Sequence, residues 1–200
     1  RMQELCQEYG ALFYLDETVT GFRLAAGGCA ELYGLKPDIV TYGKALGGGL
    51  PMAMIGGRDD IMSGLEWGKV LHFGTHNAGR LALHVTKVML ETMLEDDQAG
   101  FRRLKNLGKA MTESIRRVAK HSNRHGIVCQ GVNSMFQIFF TDREEISDYR
   151  DFCGHVDRLK FRDFAVRLMD KGIYMNPSAT LHSLSSIAHT EAGVVQPRRA

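Results

Sequence analysis

Three short apolar runs, each cut off by a charged residue or a glycine, constrain this chain most. Ala11-Leu12-Phe13-Tyr14-Leu15 stops at Asp16-Glu17, Asp38-Ile39-Val40-Thr41-Tyr42 at Gly43-Lys44, and Met52-Ala53-Met54-Ile55 at Gly56-Gly57. Continuous apolar runs of this length suit strands buried on both faces. A short helix with Met2, Leu5 and Cys6 on one face precedes the first run and ends at Gly10. After the third run, Leu81, Val85, Val88, Met89 and Met93 repeat at helical spacing until the polar cluster Glu95-Asp96-Asp97 closes the helix. This alternation predicts an α/β architecture with a largely parallel sheet. Fifteen of the 22 glycines lie from Gly10 to Gly79, so the same portion is rich in tight loops.

Beyond Gly79 the texture changes to charged amphipathic stretches, and a domain boundary is expected near residue 97, giving domains 1–97 and 98–200. Phe101, Leu104, Gly108, Met111, Ile115 and Val118 draw one stripe along a long helix. Val128 and Met135–Phe140 read as strands, Phe161, Phe164, Ala165 and Leu168 as a helix face, and Ile173-Tyr174-Met175 as a short strand. The second domain is therefore α+β. Pro197-Arg198-Arg199-Ala200 reads as a frayed or truncated end.

Composition narrows the class of partner. With 44% apolar and 24% charged residues the chain has enough to form a core, and disorder and collagen are excluded. A net charge of +2 gives no bulk argument for nucleic acid or an acidic membrane. Cys6, Cys29, Cys129 and Cys153 show no CxxC spacing and fit a reducing compartment. No apolar run approaches the roughly 18 residues of a membrane span, and no basic-then-apolar leader opens the chain, so the expected location is cytoplasmic.

Asp16 and Lys44 each stand just past the end of a predicted strand, the edge where open α/β sheets bind ligands. Lys44 is followed by Ala45-Leu46-Gly47-Gly48-Gly49-Leu50-Pro51, a turn that lets backbone approach a bound group closely. A phosphate loop, GxxxxGK[ST], would need glycine at 38 and Ser or Thr at 45, where Asp38 and Ala45 stand. Pyridoxal phosphate is a chemistry that uses a lysine and a carboxylate together. The amine forms a Schiff base, and the acid keeps the ring nitrogen protonated so that the ring accepts electrons.

The stretch Asp16-Glu17-Thr18-Val19-Thr20-Gly21-Phe22-Arg23, followed by Pro37 through Pro51, resembles the core signature of class III pyridoxal-phosphate aminotransferases. Within that class it is most similar to the glutamate-1-semialdehyde aminomutase branch. Gly74-Thr75-His76-Asn77, Pro177-Ser178 and Ser186-Ile187-Ala188-His189-Thr190 continue the similarity in order. The resemblance implies a partial fold-type I transferase: the rear of the large sheet domain in 1–97 and an α+β C-terminal small domain in 98–200. It further implies that Lys44 bonds to the cofactor and carries protons, that Asp16 pairs with the ring nitrogen, and that Thr18 packs on the ring. Thr75 would bind the cofactor phosphate of the neighbouring subunit, making a homodimer with a shared active site. The substrates would be a small amino donor and a carbonyl acceptor.

Three departures from the pattern matter. Thr18 replaces the usual valine, Ala78-Gly79-Arg80 replaces the usual Gly-Asn-Pro, and Leu181 stands where the aminomutase pattern has glutamate. The last favours a transaminase over the aminomutase. Members of this family also have a long N-terminal portion that supplies the main phosphate-binding turn, so the chain reads as roughly the C-terminal half of a longer enzyme.

Other chemistries compete. His121 with His125, and His72 with His76, have the i, i+4 spacing of zinc ligands, but no third ligand follows in sequence and no metal is expected. Ser178 and Ser186 lack a nucleophile-elbow context. Arg102, Arg103, Lys105, Lys109, Arg116, Arg117, Lys120 and Arg124 form a basic face on the helix 101–124 that offers a non-catalytic nucleic-acid-binding alternative. Glu113 interrupts it, and aromatics for base stacking are absent from it, so a solvated face is favoured.

Overall fold

Gly10 turns the chain at φ +64° just beyond the first helix, α1 (Met2–Glu8), and releases it toward the sheet. The computed structural model describes residues 1–65, 69–121 and 126–190. It divides into two compact units, Arg1–Arg102 and Arg103–Ala200.

In the first unit β1 (Tyr14–Glu17) pairs in parallel with β2 (Ile39–Tyr42), and β3 (Met54–Gly57) pairs antiparallel with β2 in a three-stranded sheet of order β1-β2-β3. The connection from β1 to β2 contains α2 (Gly28–Tyr33), which ends in a left-handed Gly34 at φ 64°. A short α3 (Asp59–Met62) follows β3. The first strand begins three residues later than its apolar run and is not buried on both faces. Tyr14 and Asp16 are exposed, Leu15 is half-buried and Glu17 is fully buried. The cause is pairing: the ladder starts at Tyr14↔Ile39, and the Phe13 N–H goes instead to the Asp38 carboxylate at 2.7 Å. The third strand likewise starts at Met54, not Met52, and as an edge strand leaves Met54 and Ile55 exposed.

The helix α4 (Arg80–His121) is interrupted at Glu95, Asp96, Asp97 and Gln98, the last three in left-handed conformations. The acidic cluster therefore closes the first helical stretch, as its sequence suggests, and a second stretch begins beyond Gln98. Past the break, Leu104 and Leu107 are buried, Met111 and Ile115 are partly buried, and Val118 at the far end of the stripe is exposed.

In the second unit β4 (Ile127–Val132) and β5 (Met135–Phe140) form a hairpin, with β6 (Ser183–Leu184) added antiparallel to the start of β5. Gly108 lets α4 reach the hairpin turn at backbone distance, since a Cβ there would lie 2.5 Å from the Ser134 Cα. The core joins Cys129, Phe136, Ile138 and Phe140 of the sheet to Phe152, Val156, Phe161 and Ala179. A fully buried phenylalanine such as Phe161 contributes roughly 1.5–3 kcal/mol by area alone. The helices α5 (Tyr149–His155) and α6 (Arg158–Met169) are each capped by an aspartate. Asp148 accepts from the Arg150 and Asp151 N–H groups, and Asp157 from that of Lys160 at 2.9 Å. The strand expected at Ile173-Tyr174-Met175 is absent. Ile173 N–H returns to the Leu168 carbonyl at the end of α6, and Ile173 and Tyr174 lie exposed with no ladder partner.

Candidate active site

The parallel register sets Asp16 beside Thr41, and strand alternation puts Tyr14, Asp16 and Thr41 on one open face. The Tyr14 and Thr41 hydroxyls are hydrogen-bonded at 2.8 Å. Asp16 Oδ1 accepts the Thr18 N–H at 2.8 Å and, more weakly, the Thr41 hydroxyl at 3.4 Å. Both of these bonds fall on Oδ1. Thr18, through hydroxyl and backbone, holds the Asp16 carboxyl below the usual carboxylate range against an opposing desolvation, with lesser help from Thr41 and, last, the Lys44 charge. Asp16 is thus an anion in a fixed pose. It belongs to β1 itself, third of its four residues, not to the loop beyond it.

Lys44 lies two residues past β2, where it opens a 3₁₀ turn (Lys44–Gly47) at φ +45°, a left-handed conformation that side-chain-bearing residues seldom adopt. The turn is braced from below. Leu46 is buried, its carbonyl accepts the buried Thr86 hydroxyl of α4 at 2.9 Å, and the left-handed Gly48 packs against Val85. From the side, Gly43 abuts Thr18: a Cβ at position 43 would lie 3.2 Å from Thr18 Cγ2. The amine-bearing turn and the acid-bearing strand are consequently in contact through Thr18. Lys44 is exposed, and its charge acts on Asp16.

The donor set suits a heteroaromatic aldehyde with its ring nitrogen opposite the reacting carbon. An anionic carboxylate stands on one strand, and an accessible primary amine follows the next, strands in such a ladder being about 4.8 Å apart. Thr18, third of the residues at this locus, presents its methyl to the Gly43 turn and its N–H to Asp16. Thr75 sits in an exposed turn, with Asn77 N–H bonded to the Gly74 carbonyl at 3.0 Å, and it makes no described bond to Asp16, Thr18 or Lys44.

One residue at this locus went unread in the sequence. Glu17 is wholly buried behind β1, and its carboxylate receives the Thr20 hydroxyl and the Cys29 and Ala30 N–H groups. No spacing marks it, because a carboxylate beside Asp16 reads simply as the polar end of the strand.

The remaining candidates lie elsewhere. His125 and Arg124 fall outside the described residues, as does the side chain of His121, and no group of three metal-binding side chains occurs among the described ones. Of the basic face, Arg102 pairs with Asp97 at 2.7 Å and Arg116 donates to the Cys129 carbonyl at 2.9 Å. A cleft of about 980 Å³ in the second unit mixes Arg116, Lys120, Arg143 and Lys160 with Asp142 and Asp157, and it involves neither Asp16 nor Lys44.

An acid and an amine at neighbouring strand ends of an α/β sheet, with a glycine-rich turn beyond the amine, are features of a family whose model, aminotransferase class-III, matches residues 1–190. The chain belongs to that family. It is 36% identical over 191 residues to a glutamate-1-semialdehyde 2,1-aminomutase of Clostridium kluyveri, a match covering 95% of this chain and 44% of that protein. Among solved structures, an omega-transaminase from Sphaerobacter thermophilus superposes with a TM-score of 0.83 at 23% identity, over 97% of this chain and 44% of that one. A glutamate-1-semialdehyde aminomutase from Pseudomonas aeruginosa PAO1 in complex with PMP gives 0.74 at 18%, over 96% and 44%. These likenesses establish the fold as part of the transaminase fold, and the chain spans less than half the length of the relatives it matches.

Proposed function

We propose that this chain is the portion of a pyridoxal-phosphate-dependent class III aminotransferase that bears its reactive lysine, and that the whole enzyme transfers an amino group from an amino donor to a carbonyl acceptor. The observation that carries the reading is the pose of Asp16, an exposed carboxylate anchored by Thr18 and Thr41 on the strand next to the one that leads to Lys44. When bound, the cofactor supplies an aldehyde that condenses with amines and a ring that takes up the electron pair of a breaking C–H bond. The chain's own residues do the rest. Lys44 would hold the cofactor through its amine and, when free, would carry a proton to or from the substrate. The Asp16 carboxylate would keep the ring nitrogen protonated, and the methyl of Thr18 would orient the ring.

Residues 1–97 correspond in this reading to part of the large cofactor domain and 98–200 to the small domain. The break at Glu95–Gln98 and the division between Arg102 and Arg103 support that assignment. Thr75, displayed in its exposed turn, is assigned to the phosphate of a cofactor in the second subunit of a homodimer. No helix among the described residues is long and apolar enough to cross a membrane, and the enzyme is assigned to the cytoplasm. The aminomutase reaction, an amino shift within glutamate-1-semialdehyde, is the second reading, favoured by the 36% identity to an aminomutase. Leu181 in place of the pattern's glutamate favours transfer between two substrates.

Borohydride reduction of the cofactor-loaded full-length protein followed by peptide mapping tests the assignment. The label is expected on Lys44 and is expected to vanish in Lys44→Ala. Label on another lysine overturns it.

A further inference from the structure

Among the described residues Glu17 is the one charged side chain with 0% exposure, and the chemistry assigned to Asp16 and Lys44 makes no use of it. It follows Asp16 on β1 but points to the opposite, buried face. Everything that meets its carboxylate is a donor. Oε2 accepts the Thr20 hydroxyl and the Cys29 N–H at 2.9 Å, and Oε1 accepts the Ala30 N–H at 2.7 Å. The Glu17 carbonyl takes the Gly21 N–H as well, at 2.8 Å. Gly28, at φ +67°, leaves room for this, since a Cβ there would lie 2.7 Å from the Glu17 carboxyl carbon. Glu17 therefore grips both ends of the segment from Thr18 to Ala30. The first residue of that segment, Thr18, is the one whose N–H holds Asp16 Oδ1.

We infer that Glu17 is a positioning residue, which from behind the sheet fixes the Thr18–Ala30 segment and through Thr18 N–H sets the direction in which the Asp16 carboxylate is presented to the cofactor's ring nitrogen. The inference rests on the reading of Asp16 given above. A carboxylate is the group the surroundings require. An amide would turn its NH₂ toward the Ala30 N–H or the Cys29 N–H, and an unpaired buried donor is costly. Aspartate is one methylene shorter than the span that Glu17 bridges.

The test follows hydrogen exchange at the Thr18, Cys29 and Ala30 amides and the carbon-13 titration of the Asp16 carboxyl in the full-length protein. Wild type, Glu17→Gln, Thr20→Val and Lys44→Ala are compared, with borohydride trapping run in parallel. In Glu17→Gln, protection is expected to fall about tenfold or more at Cys29 and Ala30 and also at Thr18, and the Asp16 midpoint is expected to rise. Thr20→Val, which removes one donor and leaves Glu17 in place, is expected to give the same changes at smaller size, and it decides the matter if Glu17→Gln does not fold. Lys44 is the charged group acting on Asp16, so Lys44→Ala is expected to raise the midpoint while Cys29 and Ala30 stay protected. If Cys29 and Ala30 loosen while Thr18 exchange and the Asp16 midpoint remain at wild-type values, Glu17 is a structural anchor only and the inference fails. Failure to trap a cofactor on Lys44 of the wild type overturns the functional reading instead, independently of the coupling that the amides and the midpoint report.

Discussion

At the scale of single residues, Asp16 and Glu17 show how strand alternation gives adjacent carboxylates opposite tasks. One is exposed and held by Thr18 at the open face, and the other is buried with both oxygens taken by donors. Asp16 has a lowered pKa, with Thr18 as the first cause, so its ionisation contributes stability above the unfolded carboxyl's value of about 4. That contribution is lost as pH falls through the lower folded value. Replacing Thr41 by valine removes the weaker of the two bonds to Oδ1, and a site-resolved NMR titration is expected to show the Asp16 midpoint moving up, by less than loss of the Thr18 bond would move it. The sequence marks Asp16 and Lys44 as candidates by their places at the ends of apolar runs. It left Glu17 silent, because burial of that carboxylate depends on Thr20, Cys29 and Ala30 returning across a loop whose path no local pattern encodes.

At the scale of elements, helices with a strong stripe were legible: α1, both parts of α4, and α6. The apolar spacing that marks them is the same spacing that buries Phe101, Leu104, Phe161 and Ala165. The acidic cluster Glu95-Asp96-Asp97 was legible as an interruption. The three strands of the first unit were found with shifted bounds, since an apolar run marks what is to be covered, whereas the ladder is set by pairing, and Asp38 diverts the Phe13 N–H from it; in the second unit the strand read at Ile173-Tyr174-Met175 is absent and β6 was missed. The short helices α2 and α5 were missed. The first depends on Glu17 from outside the element, while the second carried a readable signal in Asp148, whose side chain caps it. Caps of this kind are worth about 1 kcal/mol. Asp157→Ala, which frees the Lys160 N–H at the start of α6, is expected to lower the stability of the second unit by about that amount in urea unfolding.

At the scale of the whole molecule, the sheet of the first unit is narrow and leaves apolar side chains exposed on and beside it. Leu12 is 54% exposed, Tyr14 52% and Met54 43%, and the outer edge of β1 has no partner strand among the described residues. Apolar surface of that kind beside an unpaired strand favours association. The 200-residue chain, expressed by itself, is expected to self-associate with rising concentration in analytical ultracentrifugation and to bind an apolar dye. Charged substitutions at Leu12 and Met54 are expected to reduce both. The backbone at Lys44 bears on the molecule's history. Its φ of +45° is one that glycine tolerates freely and lysine does not, at a cost of order 1–3 kcal/mol. Breeding this protein for heat tolerance alone would therefore drift toward glycine at position 44 and produce a hardier molecule with no amine to offer. With Lys44 as the reactive amine of the proposed function, endurance and reactivity pull against each other at a single peptide unit, and only selection that also demands turnover keeps the lysine there.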